Sequence, residues 1–498
     1  MKEILIVTIG TPLFGAILTI SIPKKNEEKV KQVALIFSIL TFFITLNIWV
    51  FFDNSAAYFQ NSYEYNWVQP SNIYFTFGVD GISLFFIILT ALLVPICLLI
   101  SWPVTKNSKT TWGVKEFFSI FLVIESFILI VFLSLDILIF YVFFESVLIP
   151  MFFIIGVWGS RERKVRAAYM FFIYTLLGSL FILFGIILIY FDAGSLNYET
   201  LINFNFEEGR QKILWLSFFI SFAVKVPIFP LHIWLPEAHV EAPTSGSVIL
   251  AGILLKLGTY GLIRYSIPLF PAATNYYTPM VYTMAITGVI YTSFAAIRQT
   301  DIKRVIAYAS VAHINITIIG LFTLNFIGIE GAILQILSHG LVSGALFMCV
   351  GILYERHHSR LITYYGGVAQ IIPNFVIVFL FFTIANIALP GTSSFVGEFI
   401  ILVGVFISNG FTAIIAATGI VLGGVYALWL YNRVAYGNAK THYLKKISHD
   451  ITRREYIAML PLIFLTLVIG VNPNIFLEPM HITTLILIQQ SNILSEKY

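Results

Sequence analysis

The stretch Phe222-Ala-Val-Lys-Val-Pro-Ile-Phe-Pro-Leu-His-Ile-Trp-Leu-Pro236 places one lysine, Lys225, and two prolines, Pro227 and Pro230, within or beside the apolar run Ile213–Leu235. The run is long enough to cross a bilayer. A charge at mid-bilayer costs roughly 2.5–3.5 kcal/mol on insertion scales. Proline removes a backbone hydrogen bond that lipid cannot replace, so the break must be buried in protein or face a wet cavity. An ionisable group beside a broken helix points to an ion pathway through a membrane protein.

The remainder of the chain agrees with that environment. Of its 498 residues 58% are hydrophobic and 11% charged, against about 25% charged in soluble domains. Apolar stretches of about 20 residues recur along nearly the whole length, which predicts an all-α polytopic membrane protein. The runs are apolar all round rather than striped, which excludes a large soluble core. A membrane barrel would need short alternating segments. The net charge of +4 comes from basic residues in loops and implies no nucleic-acid partner. Cys97 and Cys349 both lie in apolar runs, and the chain has no C-x-x-C pair, Cys/His cluster or glycine-rich phosphate loop. No metal or nucleotide site is expected on it, so any redox chemistry belongs to partners. The first run, Ile4–Ile22, is long for a signal segment and lacks an A-x-A-like cleavage site, so it is expected to be retained.

Hydropathy predicts about fourteen spans: 4–22, 32–52, 80–102, 116–133, 137–157, 167–191, 213–235, 244–265, 277–297, 304–322, 328–353, 371–405, 411–432 and 456–476. The run 371–405 is too long for one straight helix and contains Leu389-Pro390-Gly391, so two half-helices are expected there. Basic residues gather at odd-numbered exits: Lys24, Lys25, Lys29 and Lys31; Lys106 and Lys109; Arg161, Arg163, Lys164 and Arg166; Arg298, Lys303 and Arg304; Arg356 and Arg360; then Arg433, Lys440, Lys445, Lys446, Arg453 and Arg454. The opposite loops carry Asp53, Glu64, Asp136, Asp192, Glu199, Glu207 and Glu208. The positive-inside rule then puts both termini on the outer side. The seventh exit, with Glu237, His239 and Glu241, has no basic residue and stands outside this pattern.

Spans four to eight and nine to thirteen form two sets of five helices, so the second set enters from the opposite side as an inverted repeat. The fourth helix of each is the proline-broken one, at Pro227 and Pro230 and at Pro390. Interrupted helices in corresponding positions of inverted halves mark a transport site. The expected organisation is an N-terminal group of spans over 1–115, a first repeat over 116–265, a second over 277–433, and a C-terminal loop and span over 434–498.

Glu145, Lys225, Lys256, His313, His339 and Glu398 are the candidate ionisable side chains inside spans. Carboxylates, lysines and histidines together cover a wide range of proton affinity once burial shifts them. Lysines near a span end snorkel to the interface, but Lys225 and Lys256 lie about twelve residues from their span starts. A hydrogen-bonded core role competes most strongly for the two histidines. Glu125 in span four is a possible accessory partner. His232, Glu237, His239 and Glu241 gather at the seventh exit as a mouth or a capped loop, with His232 and Glu241 as possible accessory residues. His357 and His358 read as solvated. Were Glu145 and Lys225 adjacent, they would neutralise each other; separating them would drive a proton onward to Lys256, the histidines and Glu398.

Phe140-Tyr-Val-Phe-Phe-Glu-Ser-Val-Leu-Ile-Pro150, Val224-Lys-Val-Pro227, Leu231-His-Ile-Trp-Leu-Pro-Glu-Ala-His-Val-Glu-Ala-Pro243, Ile253-Leu-Leu-Lys-Leu-Gly-Thr-Tyr-Gly261, Ile306-Ala-Tyr-Ala-Ser-Val-Ala-His313 and Ala388-Leu-Pro-Gly-Thr-Ser-Ser-Phe-Val-Gly-Glu-Phe399 occur in this order. On these strings the chain resembles the subunit 4 family of respiratory complex I NADH dehydrogenase, called subunit M in bacteria. The resemblance implies fourteen helices and an antiporter-like proton channel in a membrane arm. It also implies no cofactor on this chain: FMN, iron–sulfur clusters and quinone sites would lie in partner subunits. Glu145 matches the family's channel glutamate, Lys225 and Lys256 its channel and connecting lysines, His313 and His339 its central histidines, and Glu398 its distal glutamate. Glutamate at 398 separates subunit 4 from the related subunits 2 and 5, the expected neighbours alongside membrane lipids. The Phe/Ile/Asn-rich composition resembles an organellar gene product and points to the mitochondrial inner membrane, with a bacterial plasma membrane as the alternative. The competing function is a subunit of a multisubunit Mrp-type sodium/proton antiporter. A purely structural spacer is disfavoured by the insertion cost of its buried charges.

Overall fold

Backbone polar groups in a bilayer must be satisfied within the segment, so the continuous apolar runs fold as helices. The computed structural model describes residues 3–68, 73–103, 113–439 and 449–495. Lys106, Lys109, Lys440, Lys445 and Lys446, named above as loop cations, lie outside the described residues. Among the described residues, 12 helices are long and apolar enough to span: Ile4–Ser21, Glu27–Val50, Gly81–Ile100, Val114–Leu133, Ile137–Trp158, Lys164–Ala193, Thr244–Leu269, Pro271–Ile297, Ile302–Leu321, Phe326–His357, Gly410–Ala435 and Arg453–Val471. Each overlaps an expected span. The two remaining expected spans, seven and twelve, are the broken ones. The seventh is Glu208–Lys225, then irregular chain, then Trp234–Glu241. The twelfth is Pro373–Asn386, then Ser393–Ser408 after the break at Pro390.

Short acidic and amide side chains start several helices. Asp80 accepts from the Ser83 amide, Asp136 from those of Leu138 and Ile139, Asp301 from that of Lys303, and Asn325 from that of Gly328. Each satisfies an amide that the first turn leaves unpaired.

Four features differ from the hydropathy pattern. An antiparallel hairpin, Gln60–Val68 with Ile73–Val79, joins the second and third spans. Aromatic and β-branched residues pair across it, as at Tyr65 opposite Phe75, which favours a strand over a coil. A further helix, Asn474–Ser495, follows the last expected span; its Thr483 hydroxyl accepts from the Gly81 amide at 3.3 Å. The fifth span is interrupted at Val147. Pro150, one turn beyond Ser146, has no amide to bond that residue's carbonyl. The eighth span holds two π-helical stretches, Leu250–Leu254 and Leu262–Ser266, on either side of Lys256. Such insertions recur at functional sites.

Several loop cations are structural rather than solvated. Lys31 is fully buried inside the helix Glu27–Val50, beside Glu28 at 3.2 Å and over the Trp102 ring. Lys303 donates to the Ala242 carbonyl at 2.7 Å, Arg360 donates to the Val240 carbonyl, and Arg304 pairs with Glu237. Lys303 and Arg360 hold the C-terminal carbonyls of the half-helix Trp234–Glu241, where the helix dipole favours positive charge. Lys303 and Arg304, in the first turn of Ile302–Leu321, and Arg360 thus supply positive charge at the seventh exit, which has none of its own. His357 is not solvated as expected: it ends the helix Phe326–His357 and packs on Tyr365 at 5.5 Å, whereas His358 is exposed.

Contacts group the chain into one unit of residues 1–227, 253–279 and 478–498 and a second of 228–252 and 280–477. The first is built on a dense aromatic core, with Phe222 against Phe140, Phe144 and Phe218. Gly261 is required there, because a Cβ at this position would stand 2.3 Å from the Phe222 ring. Gly261→Ala is expected to cost about 1–3 kcal/mol of stability. A lowered thermal midpoint of the purified assembly checks this.

Candidate functional site

In the first unit the interruption after Ser146 lies beside Lys225. Lys225 ends the helix Glu208–Lys225, since Pro227 cannot continue it. The side chain is 3% exposed. Its Nζ donates to the Phe144 carbonyl at 3.0 Å and sits 3.8 Å from the centre of the Phe144 ring. A buried ammonium is thus held by a backbone dipole and an aromatic face. Glu145 is the next residue, and the charges of Lys225 and Glu145 act on each other without a salt bridge between them. The expected pair is therefore present but one residue offset, with the ammonium bonded to the carbonyl beside the glutamate.

Lys256 is 1% exposed and lies between the two π-helical stretches. Gly258, two residues on, lets this helix lie against the Lys225 helix, because a Cβ there would be 3.1 Å from Lys225 Cβ. Glu125 is fully buried on Val114–Leu133, and among the described residues neither of its carboxylate oxygens has a hydrogen-bond partner.

In the second unit Glu398 lies on the half-helix Ser393–Ser408, just past the break at Pro390, and is 1% exposed. Its Oε1 is 2.7 Å from His313 Nδ1 and accepts from Gln335 Nε2 at 2.9 Å. The other ring nitrogen of His313, Nε2, lies 3.2 Å from the Tyr426 hydroxyl. His339 is buried, its ring 6.3 Å from that of His313. Gly397 makes the cluster possible, since a Cβ there would meet Gln335 Cα at 2.8 Å. A carboxylate, an imidazole and a phenol in sequence can accept, hold and pass a proton without a metal or an organic cofactor.

The structure therefore brings Glu145 to Lys225 in one unit, and His313 and Glu398 together with His339 nearby in the other. His232 is separate from the Glu398 cluster in its bonding: it stacks on Phe229 and packs edge-on to Tyr291. His239 stacks on Phe347 with ring centres 4.5 Å apart, and Glu241 is buried at the capped helix end. Gln335, Tyr426 and Asn386 were not foreseen. Gln335 had a signal, as a polar residue one helical turn before His339. A tyrosine and an asparagine in apolar runs carry none. Also unforeseen is the buried Arg264–Asp80 pair at 2.6 Å, with Arg264 against the Tyr198 and Tyr260 rings.

The fold and these buried relays define an antiporter-like membrane subunit of the proton-translocating kind. The family described as NADH:quinone oxidoreductase/Mrp antiporter, TM, matches residues 134–423. Relatives of nearly equal length are called NADH-ubiquinone oxidoreductase chain 4. That of Marchantia polymorpha is 54% identical over 96% of this chain and 95% of its own. That of Prototheca wickerhamii is 55% identical over 96% and 94%. The chain belongs to the NADH-ubiquinone oxidoreductase chain 4 family. It is a proton-pumping membrane subunit of a respiratory oxidoreductase complex and a multi-pass protein of the mitochondrial inner membrane. Among solved structures, a chain of respiratory complex I from Thermus thermophilus superposes with a TM-score of 0.88 at 27% identity, over 98% of this chain and 99% of that one. A chain of the Mrp complex from a Dietzia species superposes at 0.86 but with 17% identity over 99% of each chain, which shows a shared fold alone.

Proposed function

We propose that protons move through this chain over Glu145, Lys225 and Lys256 in the first unit and His313, His339 and Glu398 in the second, with Glu125, His232 and Glu241 accessory. The observation that carries this is the buried Glu398 carboxylate bonded to His313, a proton acceptor and a proton carrier in direct contact. The breaks at Pro227, Pro230 and Pro390 serve as the places where a helix can release its backbone to a charged side chain. We take residues 116–265 and 277–433 as inverted repeats, flanked by 1–115 and 434–498. Electron transfer is assigned to partner subunits holding FMN, iron–sulfur clusters and the quinone site, and the membrane neighbours to the related antiporter-like subunits 2 and 5.

Lys256→Met tests the path, because methionine keeps the volume of the buried side chain and removes its charge. Quinone-coupled proton pumping by the assembled complex is expected to fall about tenfold or more, as for loss of a positioned proton-transfer group. NADH oxidation by an artificial acceptor at the hydrophilic arm is expected to stay at the parent level. Parent-level pumping by this variant removes Lys256 from the path. Cross-linking of the intact complex, followed by peptide identification, checks the two neighbours.

A further inference from the structure

We propose that protons reach His313 from the basic-loop end of the second unit through a water-sized cavity and the Tyr426 hydroxyl. This rests on His313 and Glu398 being proton carriers, and it adds the route by which they are loaded.

His313 uses one ring nitrogen for Glu398 and the other for Tyr426, at 2.7 and 3.2 Å. Tyr426 is therefore the group through which the ring communicates away from the carboxylate. It is 1% exposed, so bulk water does not reach its hydroxyl directly. Asn386, the last residue of the half-helix Pro373–Asn386, places its side chain against that hydroxyl. Tyr426, Asn386 and Thr383 then line a cavity of about 20 Å³. About 10–15 Å³ is enough for one water, which also needs two to four polar partners. Tyr426, Asn386 and Thr383, whose hydroxyl already donates to the Phe379 carbonyl at 2.7 Å, are the polar residues among those that line it, and the rest of the wall is apolar.

The cavity lies on a definite side of His313. Val305 on its wall is eight residues before His313 on Ile302–Leu321, about 12 Å along a helix that begins at the basic loop. Leu430, also on the wall, is one turn beyond Tyr426 toward Arg433 at the basic end of Gly410–Ala435. Both helices therefore place the cavity between His313 and the basic loops.

The transfer balances without any added reagent. The phenol gives its proton to His313 Nε2 while its oxygen takes one from a hydronium that reaches the cavity from the basic-loop side and is left there as water, so Tyr426 ends unchanged. The imidazole gives the proton on Nδ1 to Glu398. No electrons move.

Tyr426→Phe and Thr383→Val test the route in the assembled complex, since each removes a hydroxyl at nearly constant volume. Quinone-coupled pumping is expected to drop about tenfold or more in Tyr426→Phe and measurably in Thr383→Val, with artificial-acceptor NADH oxidation unchanged. Serine at 383, which restores the hydroxyl in a smaller side chain, is expected to recover pumping; a merely structural role of the threonine would not give that rescue. Pumping at the parent level in both variants, while Glu398→Gln loses it, overturns the entry route and leaves the site standing. Parent-level pumping in all three overturns the site and the route together. Parent-level pumping in Thr383→Val alone removes the cavity and overturns the proposal as stated. That variant decides by itself if Tyr426→Phe does not assemble.

Discussion

Glu398→Gln is expected to abolish most proton pumping while leaving the complex assembled. Glutamine has the shape of glutamate and keeps an oxygen for the Gln335 amide, so the packing of Ser393–Ser408 against its neighbours is retained. It cannot take a proton. The carboxylate is 1% exposed and bonds His313 Nδ1 at 2.7 Å, so the substitution leaves the imidazole facing a group that stores nothing. Loss of a positioned acid–base group is worth about 10²–10⁴ in rate. NADH oxidation with quinone is expected to slow with pumping, whereas oxidation with an artificial acceptor at the hydrophilic arm stays at the parent rate. Pumping at the parent level in a stably assembled Glu398→Gln complex would remove this residue from the path.

The second large effect is at Lys225, and arginine is the informative replacement. Alanine removes the ammonium and leaves the buried Phe144 carbonyl and the neighbouring Glu145 without their cation, a change that combines lost function with a stability cost of about 1–3 kcal/mol for an orphaned polar group. Arginine keeps a positive charge beside Glu145 but does not release its proton at any relevant pH. If Lys225 serves only to neutralise Glu145, Lys225→Arg pumps like the parent. If its proton moves, Lys225→Arg assembles and fails to pump, and Lys225→Ala fails as well. The second result is expected, because the ammonium is bonded to a backbone carbonyl and a ring with no direct contact to a Glu145 oxygen, so its proton is not held by a carboxylate. Proton uptake and quinone-linked NADH oxidation, measured side by side in membranes, separate the two outcomes.

The broken helices and the buried charges operate together. A half-helix end offers carbonyls or amides that an intact helix would have consumed. At the interruption near Ser146 the Phe144 carbonyl receives Lys225, and past Pro390 the new half-helix starts at Ser393 and carries Glu398 about one turn in. At the third half-helix end, Trp234–Glu241, the carbonyls of Val240 and Ala242 go to Arg360 and Lys303. The first end receives the Lys225 ammonium, and the third is fastened by Lys303 and Arg360.

Local chemistry was sufficient for the membrane helices, the two proline breaks and the burial of Lys225, Lys256, His313, His339 and Glu398, whereas Glu145 is half-buried. Each follows from one dimension of information: a run length set by bilayer thickness, a ring that removes an amide, or a charge where charge is costly. The same logic missed the hairpin at 60–79 and the helix Asn474–Ser495, because neither is an uninterrupted apolar run. It counted Lys31, Lys303 and Arg360 only as loop cations and did not foresee that they are buried, since a hydropathy count cannot see the partners that packing supplies. Tertiary structure alone decided which charges meet. The offset of Lys225 onto the Phe144 carbonyl, the bonding of Glu398 to His313 and Gln335, and the seating of Tyr426 on the far ring nitrogen join residues up to 113 positions apart. Such distances depend on how helices pack face to face, and packing is set by small residues such as Gly258 and Gly397 at the crossings.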